Sequence, residues 1–66
     1  MKTNELKKGN FYSDKDGVDV VVYKRQYNNC LWEFEGTEYD DVACEYRPNG
    51  DKRLLASSEV QKLIEA

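Results

Sequence analysis

The sequence predicts a mainly β fold of small α+β type, a strongly bent antiparallel sheet or small barrel of four to five strands with one short C-terminal helix. Three observations lead there. Short β-branched and aromatic runs recur at close spacing, as in Val18 to Arg25 and Cys30 to Glu35; clusters of Gly, Asn, Asp and Pro separate them; and helical periodicity emerges only after Ser58. The chain of 66 residues makes one domain, 1–66, and a domain of this size buries only about 60% of its unfolded surface. Its 39% hydrophobic content, with five Tyr, two Phe and one Trp, is sufficient to close such a small core and unlike that of a disordered segment.

Residues 1–4 are expected to be flexible. Phe11 and Tyr12 then form a strand ahead of Asp14-Lys15-Asp16-Gly17, where Asp and Gly supply turn geometry. Alternation over Val18 to Arg25 assigns Val18, Val20 and Val22 to the core and Asp19, Val21 and Tyr23 to the opposite face. Gln26 to Asn29 is a polar connection whose asparagines tolerate left-handed backbone. Cys30, Trp32 and Phe34 should face inward, with Leu31, Glu33 and Glu35 outward.

Gly36-Thr37-Glu38 reads as a turn, followed by a strand with Val42, Cys44 and Tyr46 inward. A hairpin centred on Thr37 sets Trp32 opposite Val42 and Cys30 opposite Cys44, about 5 Å apart on the core face. Pro48-Asn49-Gly50-Asp51 has the composition of a second tight turn, before a short strand from Lys52 to Leu55. Ser58 and Gln61 have capping-box spacing, and Val60, Leu63 and Ile64 recur at helical intervals to the C-terminus. Among all-β architectures an SH3-like barrel fits this spacing best.

The run Leu6-Lys7-Lys8-Gly9, then Phe11-Tyr12-Ser13-Asp14 and Asp16-Gly17 ahead of the valine strand, resembles the opening of short SH3-like proteins of bacteriophages and prophages. The likeness covers roughly the first 25 residues and the ending, and rests on turn and core positions. It implies a mobile-element origin, an accessory or regulatory role and a bacterial host, and transfers no functional residue.

Composition narrows the function classes. The longest apolar stretch, Val20 to Tyr23, is too short to span a bilayer, and Met1 to Lys8 has no apolar run of the secretory kind, so a cytoplasmic location is expected. Two cysteines, Cys30 and Cys44, and no His match no usual zinc spacing; the cysteines read as small buried apolar residues, able to pair only under oxidation. Neither thiol has an activating His, and no phosphate loop or nucleophile elbow is present. Carboxylate catalysis needs an enclosing pocket that a domain this small rarely forms. A non-enzymatic protein without metal or cofactor is expected.

Charge is the most informative pattern. The thirteen residues from Glu33 to Glu45 carry six acids and no base, −6, whereas the rest of the chain is +3. Glu33, Glu35, Glu38, Asp40, Asp41 and Glu45, with Tyr39 among them, are the candidate protein-binding residues. A row of carboxylates attracts a basic surface, and on a compact phage protein it can imitate phosphates and thereby inhibit or redirect a host protein. The plain alternative is a solvated sheet face or an edge blunted against aggregation. A second reading places nucleic acid on Lys24, Arg25, Tyr27, Arg47 and Arg53, against an acidic pI near 4.8 and neighbouring aspartates. Tyr23, Tyr27 and Tyr39 are candidates for exposed contacts. A third reading is a structural module that self-associates through an edge strand.

Overall fold

The computed structural model describes all 66 residues as one curled antiparallel sheet of five strands, with one short helix and a 3-10 turn at Thr3–Glu5. The strands are β1 (Phe11–Ser13), β2 (Val20–Gln26), β3 (Leu31–Asp40), β4 (Glu45–Ala56) and β5 (Ile64–Glu65), with α1 (Ser57–Val60) before β5. The strand order is β4-β3-β2-β1-β5, a meander whose last strand returns to the first. β4 and β5 form the two edges and do not pair, so the sheet is bent rather than closed.

Asp14 to Gly17 turns the chain between β1 and β2: the Gly17 N–H donates to Asp14 O, the Val18 N–H donates to the Asp14 carboxylate, and Gly17 takes φ +71°. The next turn is held by Asn28, whose Oδ1 accepts the N–H groups of Cys30 and Leu31, both at 2.8 Å. This is local Asx chemistry of the kind that makes Asn a turn residue.

The main core is Tyr12, Val21, Tyr23, Trp32, Phe34, Val60 and Leu63. Phe34 is fully buried; Tyr12 meets it edge-on at 6.5 Å and Tyr23 meets it at 5.2 Å. Such aromatic pairs add about 0.5–1.5 kcal/mol beyond area burial. Met1, Leu6 and Leu55 pack around this cluster, and the Met1 amino group donates to Gln61 O at 2.7 Å, tying the N-terminal residues down.

Several sequence expectations need correction. The core face of β2 is Val21 and Tyr23, because Val21 pairs with Gly36 and Tyr23 with Phe34 on the Trp32 side. Val20 and Val22 are buried on the reverse side, and Val18, before the strand, is 82% exposed. A run of apolar residues covered on both faces shows no alternation from which the main face can be chosen.

The β3–β4 hairpin is longer than the sequence suggested. Gly36 to Glu38 lies within β3, and Pro48 to Asp51 lies within β4. The two glycine-containing segments lie across from one another: Gly36 stands between the pairs Glu35–Lys52 and Thr37–Pro48, with Asn49, Gly50 and Asp51 bulging opposite. Gly50 takes φ +83°, and a Cβ on Gly36 would lie 3.2 Å from Asn49 Oδ1 and 3.3 Å from Arg53 Nε. Both glycines serve a bulge, which mimics a turn in composition.

The true turn is Asp41 to Cys44, capped by Asp40 Oδ1, which accepts the Val42 and Ala43 N–H groups at 2.9 and 3.2 Å. Trp32 therefore faces Leu55, not Val42. Cys30 and Cys44 sit exposed in different turns, so neither is a core residue nor placed opposite the other. Cys44 adopts φ +56°, as the turn demands. The C-terminal helix is also shorter than expected. It ends at Val60, and the Ala56 N–H is capped by Glu59 Oε1 at 3.2 Å rather than by a Ser58–Gln61 box. Val60 and Leu63 reach the core, whereas Ile64 enters β5 and is half-exposed.

Candidate functional site

Beyond the bulge, residues Thr37 to Pro48 form an arm of the β3–β4 hairpin. Its base is pinned by the Thr37 hydroxyl, which donates to Val20 O at 2.6 Å. Strand alternation divides the arm into two faces. Tyr39 and Tyr46 pair across it on the side that carries Glu33 and Glu35, their rings 5.1 Å apart and nearly perpendicular. Glu38, Asp40, Glu45 and Arg47 lie on the other side.

The six acids therefore do not form one face. Glu33 accepts from Arg25 Nε at 3.3 Å and lies 4.0 Å from Lys52 Nζ. Glu35 sits 3.5 Å from Lys24 Nζ and accepts the Gly50 N–H at 2.6 Å. Both glutamates are largely covered, and cross-strand bases neutralise them. Asp40 and Glu45 share Arg47, at 3.1 and 3.3 Å. Glu38 and Asp41 make no ion pair and are exposed. Sequence distance hid this arrangement: a segment with no base of its own takes its counter-charges from β2 and from the far half of β4.

The arm also concentrates apolar exposure. Val42 at its tip is 96% exposed, Tyr39 51% and Tyr46 40%. Neither Val42 nor Tyr46 is the inward residue that a hairpin centred on Thr37 required. On the tyrosine side, Val20, Val22 and Ser13 are buried although they point away from the main core, and the arm leans towards this face. There Phe11, Glu45, Tyr46 and Ala66 line a shallow hollow of about 340 Å³. No motif announced this hollow, since its walls lie in β1, β4 and the residue after β5.

The bases of the second reading are all engaged. Lys24, Arg25 and Arg47 hold the acids just described, and Arg53 bridges Asp19 and Asp51. Arg25 also lies over the half-exposed Tyr27 ring, 5.9 Å from its centre. Tyr23 is a core residue rather than an exposed contact; burial, and then the neighbouring Tyr12, raise its phenol above the ordinary tyrosine range.

On the core side a cleft of about 250 Å³ opens between β2, β4 and the α1 region, with Val21, Leu55 and Leu63 at its floor. Its polar rim is spent internally: Asp19 on Arg53, Asp14 on the Val18 N–H and Glu59 on the Ala56 N–H. No three His, Cys, Asp or Glu side chains converge as a metal site, and no helix is long and apolar enough to cross a membrane.

No family model matches the chain, and neither a curated protein nor a solved structure matches it.

Proposed function

We propose that this chain is a non-enzymatic binding protein that engages a partner protein through the arm of the β3–β4 hairpin. One observation carries the reading: Tyr39, Val42 and Tyr46 are exposed on a single projecting element, beside the unpaired acids Glu38 and Asp41. Aromatic side chains supply most binding energy at interfaces, and flanking charge steers the encounter. Glu33 and Glu35 then act as structural acids within the sheet, and the contact shifts outward to Glu38, Tyr39, Asp41 and Glu45.

The resemblance to short phage barrels makes a bacterial host protein the expected partner, inhibited or redirected by the contact. Mimicry of nucleic acid would rest on Glu38, Asp41 and Glu45, fewer charges than the sequence promised. Nucleic-acid binding itself has less support, because Lys24, Arg25, Arg47 and Arg53 already have carboxylate partners.

The test is capture from nuclease-treated bacterial lysate with wild type, Glu38→Lys/Asp41→Lys and Val42→Asp. A protein retained by wild type and lost with both variants is the expected result. Retention that vanishes with nuclease, or that survives both variants, refutes the arm as the binding surface.

A further inference from the structure

The hollow beside the arm narrows what the partner must present. Its walls are Phe11 from β1, Tyr46 from β4 and Ala66 just after β5, and Glu45 stands at its rim. The Ala66 N–H donates to Phe11 O at 3.1 Å, which holds one wall in place. The edge-on contact with Tyr39 steadies the other. At about 340 Å³ the space lies at the low end of the roughly 300–1,000 Å³ typical of ligand pockets, suited to one large side chain.

Charge specifies the surroundings of that side chain. Glu38, Asp40, Asp41 and Glu45 face a single base on the arm, Arg47, which leaves a net −3. Arg47 is occupied by Asp40 and Glu45, so an incoming cation meets the free carboxylates of Glu38 and Asp41. The core-side cleft offers no such excess, because its acids are already bonded to Arg53 and to backbone N–H groups.

We infer that the hollow between Phe11, Tyr46 and Ala66 seats one large apolar side chain of a partner segment whose neighbouring residues are Lys or Arg. This rests on the arm being the binding surface, and adds the chemistry of what it binds. The apolar anchor supplies the buried contact, and the flanking cations supply attraction that salt screens.

The probes are two capped synthetic peptides, Lys-Lys-Trp-Lys and Glu-Glu-Trp-Glu, titrated into the isotope-labelled protein while backbone amide shifts are followed. The basic peptide should move the amides of Phe11, Tyr39, Tyr46 and Ala66, and the acidic one should leave them in place. Raising salt from about 0.05 to about 0.5 M should weaken binding by about fivefold. Tyr46→Ala, which lies outside the main core cluster, should abolish those shifts, and Glu38→Lys/Asp41→Lys should weaken them as salt does. Equal response to both peptides, shifts centred on Arg53 and Leu63, or no shift at all would overturn the inference. Lysate capture that depends on the arm, with no peptide response in the hollow, removes this inference alone; capture indifferent to the arm variants removes the broader reading.

Discussion

Glu35 separates an acid used by the fold from an acid offered to a partner. Its Oε2 accepts the Gly50 N–H at 2.6 Å at the centre of the bulge, and its Oε1 lies 3.5 Å from Lys24 Nζ, with the side chain 20% exposed. A hydrogen bond to a charged group contributes about 1.5–3 kcal/mol, and an exposed ion pair about 0.2–1. Water can reach the Gly50 N–H once the carboxylate is gone, so the lower part of that range applies. Glu35→Ala should therefore cost about 1–2 kcal/mol, out of the roughly 3–10 kcal/mol expected for a domain of this length. Glu35→Gln, which keeps an oxygen acceptor without the charge, should cost about half as much. Asp41→Ala should stay within about 0.5 kcal/mol of wild type, since Asp41 is exposed and unpaired. Urea unfolding followed by the fluorescence of buried Trp32 measures all three, and with a slope near 1 kcal/mol per molar the Ala variant should unfold about 1–2 M earlier. A midpoint for Glu35→Ala within about 0.3 M of wild type, or an equal loss in Asp41→Ala, would refute the division into structural and free acids.

Tyr23 links burial to pH. Its phenol lies above the ordinary value of 10.0, so the folded chain keeps a proton that the unfolded chain releases first. The stability this confers is complete below pH about 10 and is lost as pH rises through the higher native value. Tyr23→Phe should lose less stability than wild type between pH about 9 and about 11.5, measured by urea midpoints; an equal loss would contradict it. Cys30 and Cys44, being exposed and unpaired, should both react with an aromatic disulfide reagent in the native protein, and a need for denaturant would contradict their placement in turns.

Much of the fold was legible because local chemistry wrote it. Trp32 and Phe34 alternate with Glu33 and Glu35 as a half-buried strand should, Asp14 to Gly17 turns where expected, and Val60 and Leu63 close the core. The mistaken turns at Gly36 and Pro48–Asp51 have one cause. A turn and a bulge use the same residues, Gly at positive φ and Asn or Asp bonding nearby N–H groups, and only the pairing of distant strands tells them apart. That single error displaced the hairpin's apex to Asp41–Cys44 and carried Val42, Cys44 and Tyr46 out of the core.

The acidic site followed the same logic. Composition located the excess charge between Glu33 and Glu45, and placed Tyr39 within it. Which acids are spent depends on Lys24, Arg25, Arg47, Lys52 and the Gly50 N–H, most of them brought in from outside that segment.

Residue type and period were enough to establish a β-rich chain, its core aromatics and its charged stretch, since these depend on side chains a few positions apart. The bulge, the choice of core face on β2, the neutralised glutamates and the hollow beside Tyr46 arose only on folding. Each is a relation between residues distant along the chain, set by which strands pair and in what register.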